Sequence, residues 1–490
     1  MSRARTVAGG AGALALSNLI VMVFQLGYAA FTSRLLDPSA FGIYAVALSG
    51  IGLIGLVSGA GFGQAAARAA RDDVDGHLAA AALVIGLLSA TLACALAVPW
   101  AVVWGSPNAW PSMMVLAISI PATSLAAVPA GTLRRSGKTA YLATIMGSCQ
   151  AIGMFVGLLV VLAYRAPIAL TVSPVVASLF ALTWLALAAR MHVVLRGFHV
   201  RGRDDVLYGL KANGMNFLRY LTGTASALTI SRYVGAASLG SYNRAQAVII
   251  APLESLQRSA SAAVFPELRA GGSAFRSSHT FTDIVVLMTW VAALLTPLAV
   301  CAASPILGLI LGPGWEEAQT LAPWAAAAGL LPFVAVPLSA VVEARGRYRV
   351  LLLSWAIGAC FAVAAVAAIL RFDSPLPAVM AVVASTLAAI AIYSVDTARR
   401  GELLASRYGH ALREMAAVET PAIILLVALA VLAPSPLMRI LGSAIVGLSQ
   451  LAAIWAVRGR LTFFKILVAY GLIPSALVAK QVEARGGTAP

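Results

Sequence analysis

The sequence carries little charge and no recognisable catalytic motif. Charged residues make up only 11% of its 490 residues, less than half of their usual share in soluble domains. Neither an HExxH nor a GxSxG motif occurs, which excludes the zinc proteases and serine hydrolases built on them. No zinc-site or redox spacing joins the four cysteines, all in apolar stretches: Cys94, Cys149, Cys301 and Cys360. We therefore expect a protein that is not an enzyme, without catalytic residues, metal or cofactor.

One segment comes close to a phosphate-binding loop. That motif requires four residues between its glycines, whereas five separate Gly131 from Gly137 in GTLRRSGKT (131–139). The segment also connects two apolar stretches and follows no predicted strand. It therefore predicts no nucleotide site, and we expect no ATPase domain in this chain.

Long hydrophobic runs dominate the chain, and 61% of its residues are hydrophobic. Runs of about 20 apolar residues can cross the hydrocarbon core of a membrane as helices. They predict an all-α polytopic membrane protein with about fourteen transmembrane helices, at 13–33, 41–63, 79–103, 112–131, 140–163, 168–189, 213–234, 240–262, 282–302, 318–342, 350–370, 375–397, 418–433 and 437–457. The stretch 463–480 contains Lys465 and Pro474, and we interpret it as an interfacial helix rather than a fifteenth span.

The net charge of +16 is sorted by membrane side. With the N-terminus inside, most lysines and arginines fall in the termini and in the even-numbered loops, as the positive-inside rule describes. Both termini are therefore predicted to be cytoplasmic. The basic charge needs no nucleic acid as a partner, and clusters such as RRSGK (134–138) are expected to contact anionic lipid headgroups.

The predicted spans are joined by short connections. A membrane-embedded glycan ligase or polymerase needs a sizeable extramembrane loop for its catalytic site, yet 104–111 and 311–318 are among the longest outer loops. This disfavours such an enzyme as the alternative class. The largest connection, 190–211, is cytoplasmic, and Asp204 and Asp205 within it have no third ligand nearby, so we interpret it as a linker and not a metal site.

The chain repeats itself at an offset of 198 residues. Rare residue types coincide in the pairs Asn18 and Asn216, Ser33 and Ser231, Arg34 and Arg232, Gly42 and Gly240, and Tyr44 and Tyr242. Six spans per repeat is an even number, so the halves share one orientation and are related by a pseudo-two-fold axis along the membrane normal. This predicts two parallel-oriented six-helix lobes at 1–189 and 212–397, a cytoplasmic linker at 190–211, and additional C-terminal helices at 398–490.

Polar residues follow helical spacing on three predicted spans. They are Asn18 and Gln25 on the first, Asn216 and Arg219 on the seventh, and Asn243, Arg244, Gln246, Glu254, Gln257 and Arg258 on the eighth, with Arg34 and Arg232 at the outer ends of the first and seventh. Unsatisfied polar groups are costly in hydrocarbon. We therefore expect these faces to line a hydrated cavity between the lobes, where the arginines bind an anionic headgroup.

Some of these residues also have a structural interpretation. Glu254 and Arg258 stand four residues apart and can form an ion pair within one helix. Arg34 and Arg232 can extend their side chains to the membrane surface. Glu254 is expected to be the only carboxylate deep in a span; it could couple transport to protons, although we favour its neutralising Arg258.

Two segments resemble a known family. TSRLLDPSAFGIYAVALSGIGLIGLVSGAGFGQAAAR (32–68) contains a Leu-Leu-x-Pro-x-x-Phe-Gly-x-Tyr turn followed by a glycine-rich helix. GSYNRAQAVIIAPLESLQRSASAAVFPELR (240–269) has the Tyr, Ala-Gln and Phe-Pro landmarks of the corresponding eighth-span region. Over about residues 10–350, the chain resembles the polysaccharide exporters, or Wzx-type lipid-linked oligosaccharide flippases, of the MATE-like MOP superfamily.

The resemblance implies an alternating-access flippase. Its substrate would be an oligosaccharide linked to undecaprenyl diphosphate, moved from the cytoplasmic to the outer leaflet of the bacterial inner membrane for cell-surface polysaccharide assembly. Expected partners are this substrate, membrane lipids and other polysaccharide assembly proteins. Two transport alternatives remain open: a cation-coupled exporter of amphipathic small molecules and a flippase for the lipid-linked peptidoglycan precursor.

Overall fold

The fold is all-helical, as predicted. The computed structural model describes residues 21–59, 61–68, 74–189, 220, 223–257, 278–433, 435–459 and 461–469, and no strand occurs among them. Eleven stretches in these ranges are long and apolar enough to span a membrane. They correspond to predicted spans two to six and nine to fourteen. The first, seventh and eighth predicted spans reach into residues outside the described ranges, as does most of 463–480, so the count of fourteen stays a prediction.

The helices follow one another with short connections. The first group is α1 (21–35), α2 (Pro38–Ser58), α3 (Phe62–Arg68), α4 (Val74–Val103), α5 (Trp110–Ala117), α6 (Ser119–Arg135), α7 (Thr139–Ala163), α8 (Val172–Ala188), α9 (223–229, continued by a π-helical turn at Ile230–Val234) and α10 (Ala236–Ala245, continued to 257). The second group is α11 (Ser278–Leu311), α12 (Glu316–Leu330), α13 (Pro332–Ala344), α14 (Tyr348–Phe372), α15 (Leu376–Arg399), α16 (Ala405–Leu432), α17 (Pro436–Ala456) and α18 (Thr462–Ala469).

Many large apolar side chains point outward from these helices. Leu187, Val363 and Val431 are 73%, 70% and 76% exposed, respectively. A soluble monomer rarely presents contiguous apolar surface on this scale, whereas lipid tails solvate it readily. The chain is therefore a multi-pass membrane protein.

The chain divides into two compact units. Unit 1 takes Met1–Val248, Ile310–Ala318 and Ala362–Ala378, and unit 2 takes Ile249–Leu309, Gln319–Phe361 and Val379–Pro490. These units do not follow the predicted lobes, because contacts group α9 and most of α10 with the first half of the chain. The division into lobes at 1–189 and 212–397 stays a prediction.

Inside unit 1, two equivalent segments of the repeat touch each other. Pro38 begins α2 and Ala236, its repeat equivalent, begins α10. A β-carbon on Gly42 would lie 1.8 Å from the carbonyl oxygen of Ala236, and one on Gly240 would lie 1.8 Å from that of Pro38. This reciprocity is the mark of a two-fold interface. The two segments are therefore related by a local two-fold axis, and the axis that relates the whole lobes stays a prediction.

Loops from elsewhere in the chain fasten the same segments. The indole Nε1 of Trp315 donates a hydrogen bond to the carbonyl oxygen of Ser33 at 3.0 Å. The hydroxyl of Ser231 donates to the carbonyl oxygen of Trp104 at 2.9 Å. Ser33 and Ser231 are repeat equivalents, so the ends of α1 and α9 are each hydrogen-bonded to one connecting loop.

Unit 2 is held by an apolar core and by ion pairs at the helix ends. Phe281, Phe333 and Tyr393 are buried together where α11, α13 and α15 meet. Arg347 forms salt bridges with Asp396 and Glu402. These salt bridges join the turn before α14 to the last turn of α15 and to the segment that follows it.

The two-fold contact can be tested with alanine substitutions. We expect Gly42→Ala and Gly240→Ala each to destabilise the protein by about 3 kcal/mol or more, because the added methyl group meets a backbone carbonyl that cannot rotate away. Gly55→Ala is the matched control on α2, since a β-carbon there meets nothing within 4 Å. Thermal unfolding of the purified protein in detergent measures the effect. Equal midpoints for Gly42→Ala and Gly55→Ala would contradict the contact.

Candidate functional site

The structure describes eight of the predicted site residues. Asn18, Asn216, Arg219 and Arg258 lie outside the described ranges. Their roles, and the predicted cavity between the lobes, remain predictions.

Unit 1 contains a cavity of about 530 Å³, within the range of about 300–1,000 Å³ typical of ligand sites. Helices α1, α2, α6, α7 and α8 supply its lining. Its polar lining residues are Gln25, Tyr44, Thr123, Arg134, Gln150, Ser173 and Ser178. The remaining lining is apolar apart from Cys149. The cavity therefore presents a small number of hydrogen-bonding groups in an otherwise apolar wall.

Of the predicted site residues, Gln25 lines this cavity. Two further polar lining residues, Gln150 and Arg134, were not among the predicted site residues. Gln150 lies in the middle of α7, and an amide within a predicted span was a signal that could have found it. Arg134 was assigned to a cluster that contacts lipid headgroups. It stands in the last turn of α6, where its exposed side chain reaches both the cavity and the solvent.

Arg244 is buried beside the cavity. It forms no salt bridge with an acidic residue in the described part of the chain. Its side chain is only 8% exposed, and its guanidinium carbon lies 3.6 Å from the centre of the Phe41 ring. The Phe41 ring packs against Trp315, with centroids 5.4 Å apart. Tyr44, which lines the cavity, lies on the same helix as Phe41, three residues further along. Stacking on an aromatic face stabilises a desolvated cation, so Arg244 places positive charge just behind the cavity wall.

Arg34 and Arg232 occupy equivalent exposed positions at the ends of α1 and α9. A β-carbon on Gly312 would lie 3.5 Å from Cγ of Arg34, and one on Gly105 would lie 3.3 Å from Cα of Arg232. Each arginine is thus beside one of the connecting loops. The structure places both arginines at helix ends that contact these loops. A role for them in substrate binding stays a prediction.

The predicted polar residues of α10 are spread around the helix. Asn243 and Gln246 are half-buried in unit 1, and Gln246 forms a hydrogen bond with the Tyr242 hydroxyl. In unit 2, Gln257 is buried and Glu254 is exposed. A coupling role for Glu254 stays a prediction.

Two buried carboxylates lie in other helices long enough to cross a membrane, and the expectation that Glu254 is the only carboxylate deep in a span stays a prediction. The two buried carboxylates are Asp283 of α11 and Glu419 of α16. Asp283 forms a salt bridge of 2.8 Å with Arg407. Both were overlooked because the predicted spans began at 282 and 418, which left these acids at the edges, whereas the helices begin earlier.

The comparison with known proteins agrees with this fold. A family model described as "Polysaccharide biosynthesis protein" matches residues 31–320, more than half of the chain. No curated protein matches the sequence significantly.

Among solved structures, the chain is similar to lipid II flippase MurJ in an inward closed conformation, with a TM-score of 0.70 and 11% identity over 91% of this chain and 99% of that chain. It is also similar to the Vibrio cholerae MATE transporter VcmN, with a TM-score of 0.51 and 15% identity over 81% and 98% of the two chains. A MOP superfamily transporter from Pyrococcus furiosus gives a TM-score of 0.51 and 14% identity over 80% and 95%. The fold is therefore that of MurJ and the MATE transporters.

Hydration of the cavity can be tested by cysteine labelling. Gln150 lines the cavity, whereas Phe155, five residues along α7, is 61% exposed on the outer surface of the helix bundle. In a chain without its native cysteines, we expect Gln150→Cys to react with a membrane-impermeant maleimide about tenfold faster than Phe155→Cys, because the reagent needs a hydrated thiolate. Mass spectrometry of vesicles labelled for increasing times gives both rates. Equal rates, or an unreactive Gln150→Cys, would mean that the cavity is dry.

Proposed function

Because the chain belongs to the family of polysaccharide biosynthesis proteins, we propose that it is a flippase for an oligosaccharide linked to undecaprenyl diphosphate. The family and the fold support a lipid-linked flippase or exporter rather than an enzyme. In this proposal, the protein lies in the bacterial inner membrane with both termini in the cytoplasm, and it carries the substrate from the cytoplasmic to the outer leaflet for surface polysaccharide assembly.

The observation that carries the proposal is the lining of the cavity in unit 1. A sugar needs many hydrogen-bond partners, and the side chains of Gln25, Tyr44 and Gln150 can each donate and accept. A cavity for a purely apolar cargo would leave these groups unsatisfied, which is costly away from water. The lining therefore suits a hydroxyl-rich ligand.

Arg134 adds a cation at one end of the cavity. By the predicted topology, this end of α6 faces the cytoplasm, where the diphosphate of a newly made lipid-linked sugar lies at headgroup level. A guanidinium binds phosphate oxygens with two parallel hydrogen bonds and keeps its charge. We infer that Arg134 receives the diphosphate, that the sugars enter the cavity and that the isoprenoid tail stays in the bilayer.

Transport would proceed by alternating access between lobes at 1–189 and 212–397. The reciprocal contact of Gly42 and Gly240 supports the internal repeat on which these lobes rest. A second candidate substrate is the lipid-linked peptidoglycan precursor, because MurJ, which is described as a lipid II flippase, shares the fold over 91% of this chain.

The proposal is tested by the lipids that accumulate when Arg134 is changed. In cells depleted of the native protein, we expect Arg134→Ala to lower transport about tenfold or more, because a hydrogen bond to a charged group contributes about 1.5–3 kcal/mol. Arg134→Lys should restore part of this loss, since it keeps the charge but not the bidentate geometry. Mass spectrometry of the isoprenoid-linked sugars measures the accumulation and identifies the sugar.

Lys138→Ala is the matched control, because it removes the same charge from an exposed position four residues away that does not line the cavity. Accumulation in Arg134→Ala but not in Lys138→Ala supports the proposal. No accumulation in either variant would contradict it. Accumulation of peptide-bearing lipid would identify the second candidate as the substrate.

A further inference from the structure

The hairpin of α16 and α17 contains a buried pair of polar side chains that the proposed transport site does not use. Glu419 of α16 is 5% exposed and Gln450 of α17 is 4% exposed. The amide Nε2 of Gln450 donates a hydrogen bond to Oε2 of Glu419. The pair thus joins the two helices through one contact between a carboxyl group and an amide.

The pair lies within the membrane-spanning part of the hairpin. About 20 residues of helix cross the hydrocarbon layer. Counted from the connection at 433–435, that layer would extend to about residue 413 on α16 and about residue 455 on α17. Glu419 and Gln450 therefore stand more than one helical turn inside it, at matching depths.

Each side chain of the pair has one oxygen without a partner. Oε1 of Glu419 and Oε1 of Gln450 are both buried, and neither accepts a hydrogen bond from any described residue. Two acceptor oxygens cannot satisfy each other. One proton on Glu419 Oε1 would change this, because the resulting O–H donates to an amide oxygen. The acid and the amide would then be joined by two hydrogen bonds in a ring.

The neighbouring charged groups are already engaged or point elsewhere. The titratable and charged groups on the described elements around the pair and at their ends are His279, Asp283, Cys301, Arg407, Tyr408, His410, Arg413, Glu414, Arg439, Arg458 and Lys465. Cys301 donates to the Leu426 carbonyl oxygen, and Tyr408 lies against the Thr289 hydroxyl. Arg458 stacks on Trp455 and donates to its carbonyl oxygen. Asp283 and His279 bond to Arg407. Glu414 accepts hydrogen bonds from Thr462 and pairs with His410.

Of the remaining cations, Arg413 and Lys465 are exposed, and Arg439 donates to the Ala433 carbonyl oxygen at the other end of the hairpin. No cation in the described part of the chain is bonded to Glu419. A buried carboxylate with a single amide donor and no counter-ion is strongly disfavoured, and such groups become neutral instead.

We propose that Glu419 and Gln450 form a proton-binding site within the α16–α17 hairpin. The bound state is the neutral acid, doubly hydrogen-bonded to the amide. Release of the proton leaves a negative charge between two helices in the membrane. The hairpin then must admit water or a cation, so its packing depends on proton occupancy. Ionisable groups inside membrane helices commonly mark such relays.

Infrared spectroscopy of the purified full-length protein tests the site directly. At neutral pH, the wild type should show the C=O stretching band of a protonated carboxyl group. Glu419→Gln should remove one such band, while keeping the shape of the side chain. Gln450→Leu should retain the band and shift it to higher frequency, because the acid has lost its hydrogen-bond partner.

Glu414→Gln is the matched control, because Glu414 lies on the same helix, five residues away, and is paired with groups at the solvent side. It should leave the band in place. If the Glu419→Gln spectrum at neutral pH equals that of the wild type, Glu419 carries no proton and the proposal fails.

A stability measurement gives an independent readout. Because the folded wild type keeps this proton at pH values where the unfolded chain has released it, its unfolding temperature should fall as the pH is raised from about 4.3, where an exposed glutamate titrates, to neutral. Glu419→Gln should abolish this part of the fall, and Glu414→Gln should not. If sodium but not choline chloride raises the stability of the wild type at neutral pH and Glu419→Gln removes that effect, the two free oxygens hold a metal cation and the proton site is overturned.

Discussion

Hydrocarbon offers no hydrogen bonds, and this constraint governs where the chain places its polar groups. Most hydroxyls on the helices bond back to carbonyl oxygens of their own helix, as Thr282 does to Ser278 and Thr397 to Tyr393. Others reach another segment, as Tyr220 does to the carbonyl oxygen of Ser49 at 2.8 Å. Polar groups that are not satisfied by backbone carbonyl oxygens in this way are therefore candidates for function. They are the polar lining of the cavity in unit 1, the stacked Arg244, and the Glu419–Gln450 pair.

The repeat gives unit 1 its internal organisation. The starts of α2 and α10 meet with so little space that neither Gly42 nor Gly240 could carry a side chain. Phe41, next to one of these glycines, stacks on Arg244, which lies two turns along the partner helix. The backbone contact and the buried cation are therefore parts of one arrangement.

The sequence predicts the membrane class and the helices well, because long apolar runs are a direct consequence of the bilayer. The equivalence of Arg34 with Arg232, and of Gly42 with Gly240, was also visible, since rare residues coincide at one offset. The cavity was harder to find. Arg134 follows an apolar helix like any cytoplasmic anchor, and only packing shows that its side chain also borders a cavity. Glu419 was missed because α16 begins at Ala405, well before the apolar run that marked the span. Hydropathy measures composition, and it cannot show that a helix continues through a polar segment.

In the proposed function, this chain by itself moves a lipid-linked sugar across a bilayer. Reconstitution of the purified protein in liposomes that contain an isoprenoid diphosphate oligosaccharide in both leaflets tests this activity. After the outward-facing sugars are modified with an impermeant reagent, we expect inner-leaflet substrate to become reactive in liposomes with the protein and to stay protected in liposomes without it. If folded protein leaves the inner-leaflet sugars protected under every imposed ion gradient, the chain is not a flippase for this substrate.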